Sequence, residues 1–123
     1  MNVNDYDHDG RPTEFVVQTG APACSHHPSV LVGLSRTRPA LHVLGTVAHP
    51  DRPLTLEHLD DWDKLLHSTG SVAVVQVACG DHGSSEETEV ELRTDGQGIH
   101  ANRVRYACDA DGKRGPLRSR EPF

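Results

Sequence analysis

The chain has 123 residues and a mass of 13.4 kDa, enough for one domain and too little for two of ordinary size. Hydrophobic residues make up 35% and aromatics 4%, so a core must rest on Val, Leu and Ala around a single tryptophan, Trp62. Twelve basic against eighteen acidic residues give a net charge of −6, which excludes general affinity for a nucleic-acid backbone, and no apolar run reaches the length of a membrane span. Three cysteines, an odd count, argue against a complete disulfide framework; with a polar, acidic start in place of a secretory leader, they point to a reducing cytoplasm.

Residues 1–13 are polar and carry Asp5, Asp7 and Asp9 with Gly10 and Pro12, so they read as a flexible acidic arm. Alternating carboxylates before a glycine look like the opening of a calcium loop. The twelfth position, however, is Val16 where a bidentate Glu belongs, and no helix precedes it, so a solvated segment is expected. Residues 14–18, 29–34 and 40–47 are short runs rich in Val and Leu and read as strands. The next stretch predicts a helix over about 55–68: Thr55 as cap, Leu54 and Leu59 as a staple, and Leu56, Leu59, Trp62, Leu65 and Leu66 as the buried stripe. Asp60, Asp61 and Asp63 face water, and with Glu57 they form a negative strip suited to a basic partner; Gly70 ends the helix.

Residues 71–78 (SVAVVQVA) predict a central strand buried on both faces. A loop follows over 79–87, then a strand over 88–94 with Val90 and Leu92 against Glu89, Glu91 and Arg93. Asp95-Gly96 predicts a hairpin turn, and residues 99–107 a returning strand whose phase slips near Asn102, suggesting a bulge. Residues 109–123, with Lys113, Arg114, Arg118 and Arg120, read as a flexible basic tail. The order β-β-β-α-β-β-β is that of a single α+β domain over 14–108, one amphipathic helix on a mostly antiparallel sheet of five to six strands. One helix cannot cover such a sheet, so an open face should meet a protein partner or a second copy of the chain.

The strongest chemical constellation is Cys24-Ser25-His26 with Cys79-Gly80-Asp81-His82. Cys24, His26, Cys79 and His82 would supply two thiolates and two imidazoles, the donor set of tetrahedral zinc, if the fold closes the 52 residues between the pairs. His27, His42, His100 and Cys108 are spare ligands. The Cys-x-His pair and the CGDHGS stretch resemble the cluster loops of Rieske proteins, which would imply a [2Fe–2S] centre and electron transfer; the resemblance covers about ten residues, with a longer gap between its loops than that family has. Ser84 and Ser85 near His82 and Asp81, with Glu86 and Glu87, form no nucleophile elbow, and no phosphate-cradling glycine loop is present. These features imply a small cytoplasmic binding or regulatory module stabilised by zinc. The competing readings are a zinc enzyme using the same cluster, an acidic inhibitor of a basic protein, and the Rieske-like carrier.

Overall fold

A computed structural model describes residues 3–21, 26–35, 38–69 and 71–123. Three strands, β1 (Glu14–Gln18), β2 (Ser29–Ser35) and β3 (Arg38–Val43), form one antiparallel sheet in the order β1-β2-β3. After helix α1 (Leu59–Leu66), strands β4 (Ser71–Val77), β5 (Glu86–Asp95), β6 (Gly98–Cys108) and β7 (Arg114–Pro122) form a second antiparallel sheet in sequence order. The expected α+β order is present, with seven strands in two sheets in place of five to six in one. No helix among the described residues is long and apolar enough to cross a membrane.

The two sheets and α1 enclose one core. Leu31 comes from the first sheet; Val74, Val90, Leu92, Ile99 and Ala101 come from the second; Trp62 and Leu65 come from the helix. Trp62 is 1% exposed, its indole N–H donates to Ser29 Oγ at 2.9 Å, and Tyr6 meets its ring edge-on at 6.4 Å between centroids. That buried polar pair is satisfied, so the largest side chain fills the core without an orphan donor.

The helix begins four residues later than expected, with His58 and not Thr55 at its N-cap. Residues before it are held extended by partners far along the chain: Leu56 exchanges backbone hydrogen bonds with Ser29, His27 N–H donates to Glu57 O, and Gln76 Oε1 takes the Glu57 N–H. Long-range pairing outweighs local helix preference here. Leu54 is buried while Leu59 is 40% exposed, so no staple forms. Asp61, expected in water, is buried; its carboxylate accepts from Gln76 Nε2 at 2.8 Å, and burial raises its pKa. Gly70 lies outside the described residues.

β4 is an edge strand, not a central one, since among the described residues only β5 pairs with it. Val74 and Gln76 point into the core while Ala73 and Val75 stand exposed, so its small apolar residues serve one buried face and one open face. β5 and β6 pair without interruption from Glu86↔Ala107 to Asp95↔Gly98, so the turn falls where Asp95-Gly96 placed it and no bulge occurs at Asn102 on that side. Asp95 Oδ1 accepts the Gln97 N–H at 2.8 Å, and this bond leads the causes that lower its pKa to about 2. After residues 40–43 the chain leaves β3 and turns at Gly45, where a Cβ would lie 2.3 Å from His49 O and 2.5 Å from Arg52 O, so no larger residue fits without moving backbone.

Residues 114–122 are not a tail but β7. Its arginines reach across β6 to the acids of β5: Arg118 to Glu86, Arg114 to Glu87 and Glu89, Arg120 to Glu91. Arg114 also stacks over Tyr106 at 4.1 Å. The basic and acidic runs therefore neutralise one another and cover the outer face of the second sheet, where Val104 is fully buried. Because Glu89 is itself only 8% exposed, Arg114→Ala leaves a nearly buried carboxylate without its cation. A loss of about 1–2 kcal/mol in urea denaturation is expected, above the near-zero value of an ordinary surface pair.

Candidate functional site

His26 and His82 meet at one end of the molecule, brought there by two independent constraints. On one side, the hydrogen bonds from residues 27 and 29 to residues 56 and 57 set His26 beside Glu57 and His58; the His26 and His58 rings lie 5.0 Å apart. On the other, the chain leaves β4 through a tight turn in which Asp81 N–H donates to Ala78 O and Ser84 N–H to Asp81 O. Gly80 and Gly83 have φ of +84° and +74°, and His82 adopts +52°, a left-handed conformation uncommon for a residue with a side chain. The base of this turn is tied to β6 by a disulfide between Cys79 and Cys108, with Cα atoms 5.7 Å apart.

His26 Nε2 lies 2.9 Å from Asp81 Oδ2, and His82 Nε2 lies 3.6 Å from Asp81 Oδ1. One donor atom from each of His26, Asp81 and His82 falls within 4.8 Å of the others. Glu57 Oε2 stands 3.6 Å from the opposite ring nitrogen of His26, Nδ1. The hydrogen bond with Asp81 is the main reason the His26 pKa is raised, and the same bond lowers that of Asp81. Two imidazoles and a carboxylate converging in this way form an N/N/O donor set that suits zinc, and Glu57 behind His26 is placed as a carboxylate that orients a metal-binding imidazole.

Of the four expected ligands, the structure brings together His26 and His82. Cys24 lies outside the described residues. Cys79 is bonded to Cys108, so in this oxidised state neither sulfur is a thiolate, and both the zinc set and the Rieske-like loop lose a ligand. Asp81 enters the site through its place in the same turn; its position between Cys79 and His82 was visible in the sequence, but its convergence with His26 depends on the fold. Of the spare ligands, His42 Nδ1 is paired with Ala40 O, and His100 Nε2 lies 2.8 Å from Asp95 Oδ2, both away from the cluster. The negative strip on the helix keeps Asp60 and Asp63 exposed but loses Asp61 to the interior.

A second group lies in the N-terminal segment, which buries Tyr6 and Asp7 against the core and leaves Gly10, Arg11 and Pro12 exposed. Asp7 is 2% exposed, Glu14 is fully buried, and carboxylate oxygens of Asp5, Asp7, Asp9 and Glu14 lie within 4.8 Å of one another. Glu14 accepts from the Asp7 and Thr13 amides and the Thr13 hydroxyl; Arg11 pairs with Asp9. His8 bridges Leu65 O and Thr94 Oγ1, tying the segment to α1 and β5. With this much negative charge out of water, Asp7 is driven by burial, and next by its bond with Glu14, to a pKa of about 8. These oxygens form a hard-cation donor set when deprotonated and hold a proton otherwise.

Two grooves, of about 620 and 280 Å³, open elsewhere: the first near Val72, Glu91, Arg93 and His100, the second near Arg38, His42 and Thr46. Neither includes His26, Asp81 or His82. No protein-family model, curated protein or solved structure matches this chain.

Proposed function

We propose that this chain is a small binding module in which a zinc ion held by His26, Asp81 and His82 clips the segment before β2 to the β4–β5 turn. The observation that carries this reading is the convergence on the Asp81 carboxylate of two histidines from distant parts of the chain, with His26 and Asp81 separated by 55 residues. A metal there would replace the proton between His26 and Asp81 while Glu57 stays behind the His26 ring. It would close a long loop, the arrangement in which a metal clip removes most chain entropy.

Because zinc competes with protons for both imidazoles, binding should weaken as pH falls through the His26 pKa, which lies above its ordinary value of 6.5. Titration calorimetry with zinc on the metal-free chain tests the reading. His82→Asn keeps a residue tolerant of left-handed backbone and removes the imidazole. It should weaken binding at least about tenfold. Equal affinity in the variant, or no binding by the native chain, would sink the proposal.

A second reading rests on the ligand count. Three protein donors leave a fourth position for water, as in zinc hydrolases. The separation of both described grooves from the cluster favours the module over the enzyme, since a substrate needs a concave seat. The compartment follows the cysteines: a paired Cys79 and Cys108 favours an oxidising environment over the cytoplasm expected from their number. The partner belongs to the module reading too: the exposed Val17, Leu41 and Val43 of the first sheet support a protein partner or a second copy.

A further inference from the structure

Acids outnumber bases eighteen to twelve, and most arginines find one: seven of the nine described have a carboxylate within 4.0 Å. Among the described residues Arg52 and Arg103 have none, and these two meet at a single ring. The guanidinium carbon of Arg103 lies 4.0 Å from the Phe123 centroid and that of Arg52 lies 5.8 Å from it. Strand alternation places the first: Arg103 and Arg105 continue the inward row of Ile99 and Ala101 along β6, past the end of the core. Arg52 comes from the loop after β3. Phe123 is fixed between them, its N–H donating to Ala101 O at 2.9 Å and its O accepting from Thr46 Oγ1 at 2.6 Å. An aromatic ring orients a cation without neutralising it, since the ring has no net charge. The nearest acid, Glu121, faces Arg103 in the register but is bonded to Arg105 at 3.2 Å. Burial first, then the charge of Arg105, lowers the Arg103 pKa; Arg52 adds to this and Glu121 offsets part of it.

We infer that Arg52 and Arg103 form a binding site for one phosphate monoester group of a soluble ligand. This goes beyond the zinc reading and is independent of it. The charges match, because a phosphate monoester carries about −1.5 to −2 at pH 7 against two cations that no carboxylate pairs. The spacing matches as well. Both distances run to one centroid, so the guanidinium carbons are less than about 10 Å apart. A phosphate bonded by two guanidiniums through N–H···O bonds of about 2.8 Å holds those carbons roughly 7–8 Å apart.

The surroundings set what is recognised. The adjoining cavity, lined by Thr46, His49, Arg52 and Phe123 among others, measures about 10 Å³, room for one water at most. The site therefore reads the anionic group and not the body that carries it. An anionic membrane surface calls for about 4–8 clustered cations, and a nucleic acid for several that track successive phosphates. Two cations on a chain of net charge −6 suit neither.

Inorganic phosphate is the probe, titrated into the full chain in EDTA with sodium chloride holding the ionic strength constant, and followed by NMR at the arginine Nε–H groups. The Arg103 signal should shift saturably, with a dissociation constant in the millimolar range. Arg52→Gln and Arg103→Gln should each weaken binding at least about fivefold, while Arg118→Gln, whose guanidinium is paired with Glu86, leaves it unchanged. Arg52 is exposed, so Arg52→Gln tests the site with the fold intact. EDTA removes any metal, so this result and the zinc reading fail separately. No saturable shift, or saturable binding that survives both substitutions, overturns the proposal. A chain that ignores inorganic phosphate but sediments with phosphatidic-acid vesicles through Arg52 and Arg103 would assign the pair to a membrane and overturn it as well.

Discussion

Replacing Cys108 with serine is expected to lower the unfolding free energy by about 3–4 kcal/mol. The Cys79–Cys108 bond joins residues 29 apart, and opening it returns the loop-closure entropy to the unfolded chain. The loss is large against the 5–15 kcal/mol that holds a typical domain together. It is also local in its consequence, because Cys79 anchors the turn that carries Asp81 and His82, and Cys108 N–H donates to Ser85 O at the other end of that turn. Urea denaturation of the native chain with a thiol reductant should reproduce the loss, and reductant should add nothing to Cys108→Ser. A change under about 1 kcal/mol would mean that the bond does not constrain the fold.

The second large effect is a fall in stability with rising pH. Asp7 has its pKa raised from 3.8 to about 8 in the folded chain, so the folded state keeps a proton that the unfolded state releases. Its contribution is fully present below pH 3.8 and is lost as pH rises towards about 8. Burial is the main cause, followed by the bond with Glu14; Asp5 and Asp9 add negative charge, and Arg11 is committed to Asp9. Each tenfold tightening of the bound proton is worth about 1.4 kcal/mol, so a loss on the order of 3–5 kcal/mol is expected between about pH 4 and 8. Asp7→Asn mimics the protonated form. In EDTA it should be more stable than the native chain at pH 8 and have a much flatter profile. A shallow slope of the same sign should survive near and above pH 6.5, because His26 also has a raised pKa. Native stability that instead climbs across this window would show that Asp7 is ionised in the fold.

What could be read from the sequence was what is locally determined. The alternation of Val90 and Leu92 with acids, the Asp95-Gly96 turn and the burial of Trp62 and Leu65 on one helix face each follow from a few neighbouring residues and are in place, whereas Leu56 of the same expected stripe lies before the helix and Leu59 is exposed. The errors share a physical cause. Residues 54–57 carry helix signals but are held by Ser29 and Gln76, partners that no local pattern contains. The acidic segment looks solvated because burying carboxylates is unfavourable until a shared proton and the Thr13 donors are counted. The basic residues 114–120 look like a tail because the charges they need lie on β5; the matching run of Glu86, Glu87, Glu89 and Glu91 was the available signal. At the candidate site, the paired histidines were legible from their motifs. The diversion of Cys79 to Cys108 was not, since three cysteines permit three pairings and only the β5–β6 register brings this one within reach.

The metal content of the chain, purified without a metal-affinity column and then dialysed against zinc and buffer, tests the central claim most directly. Elemental analysis should find one zinc per chain with no visible absorption, and none after His26 and His82 are both replaced. A chain that retains no zinc, or one that keeps it when both histidines are gone, would contradict the account.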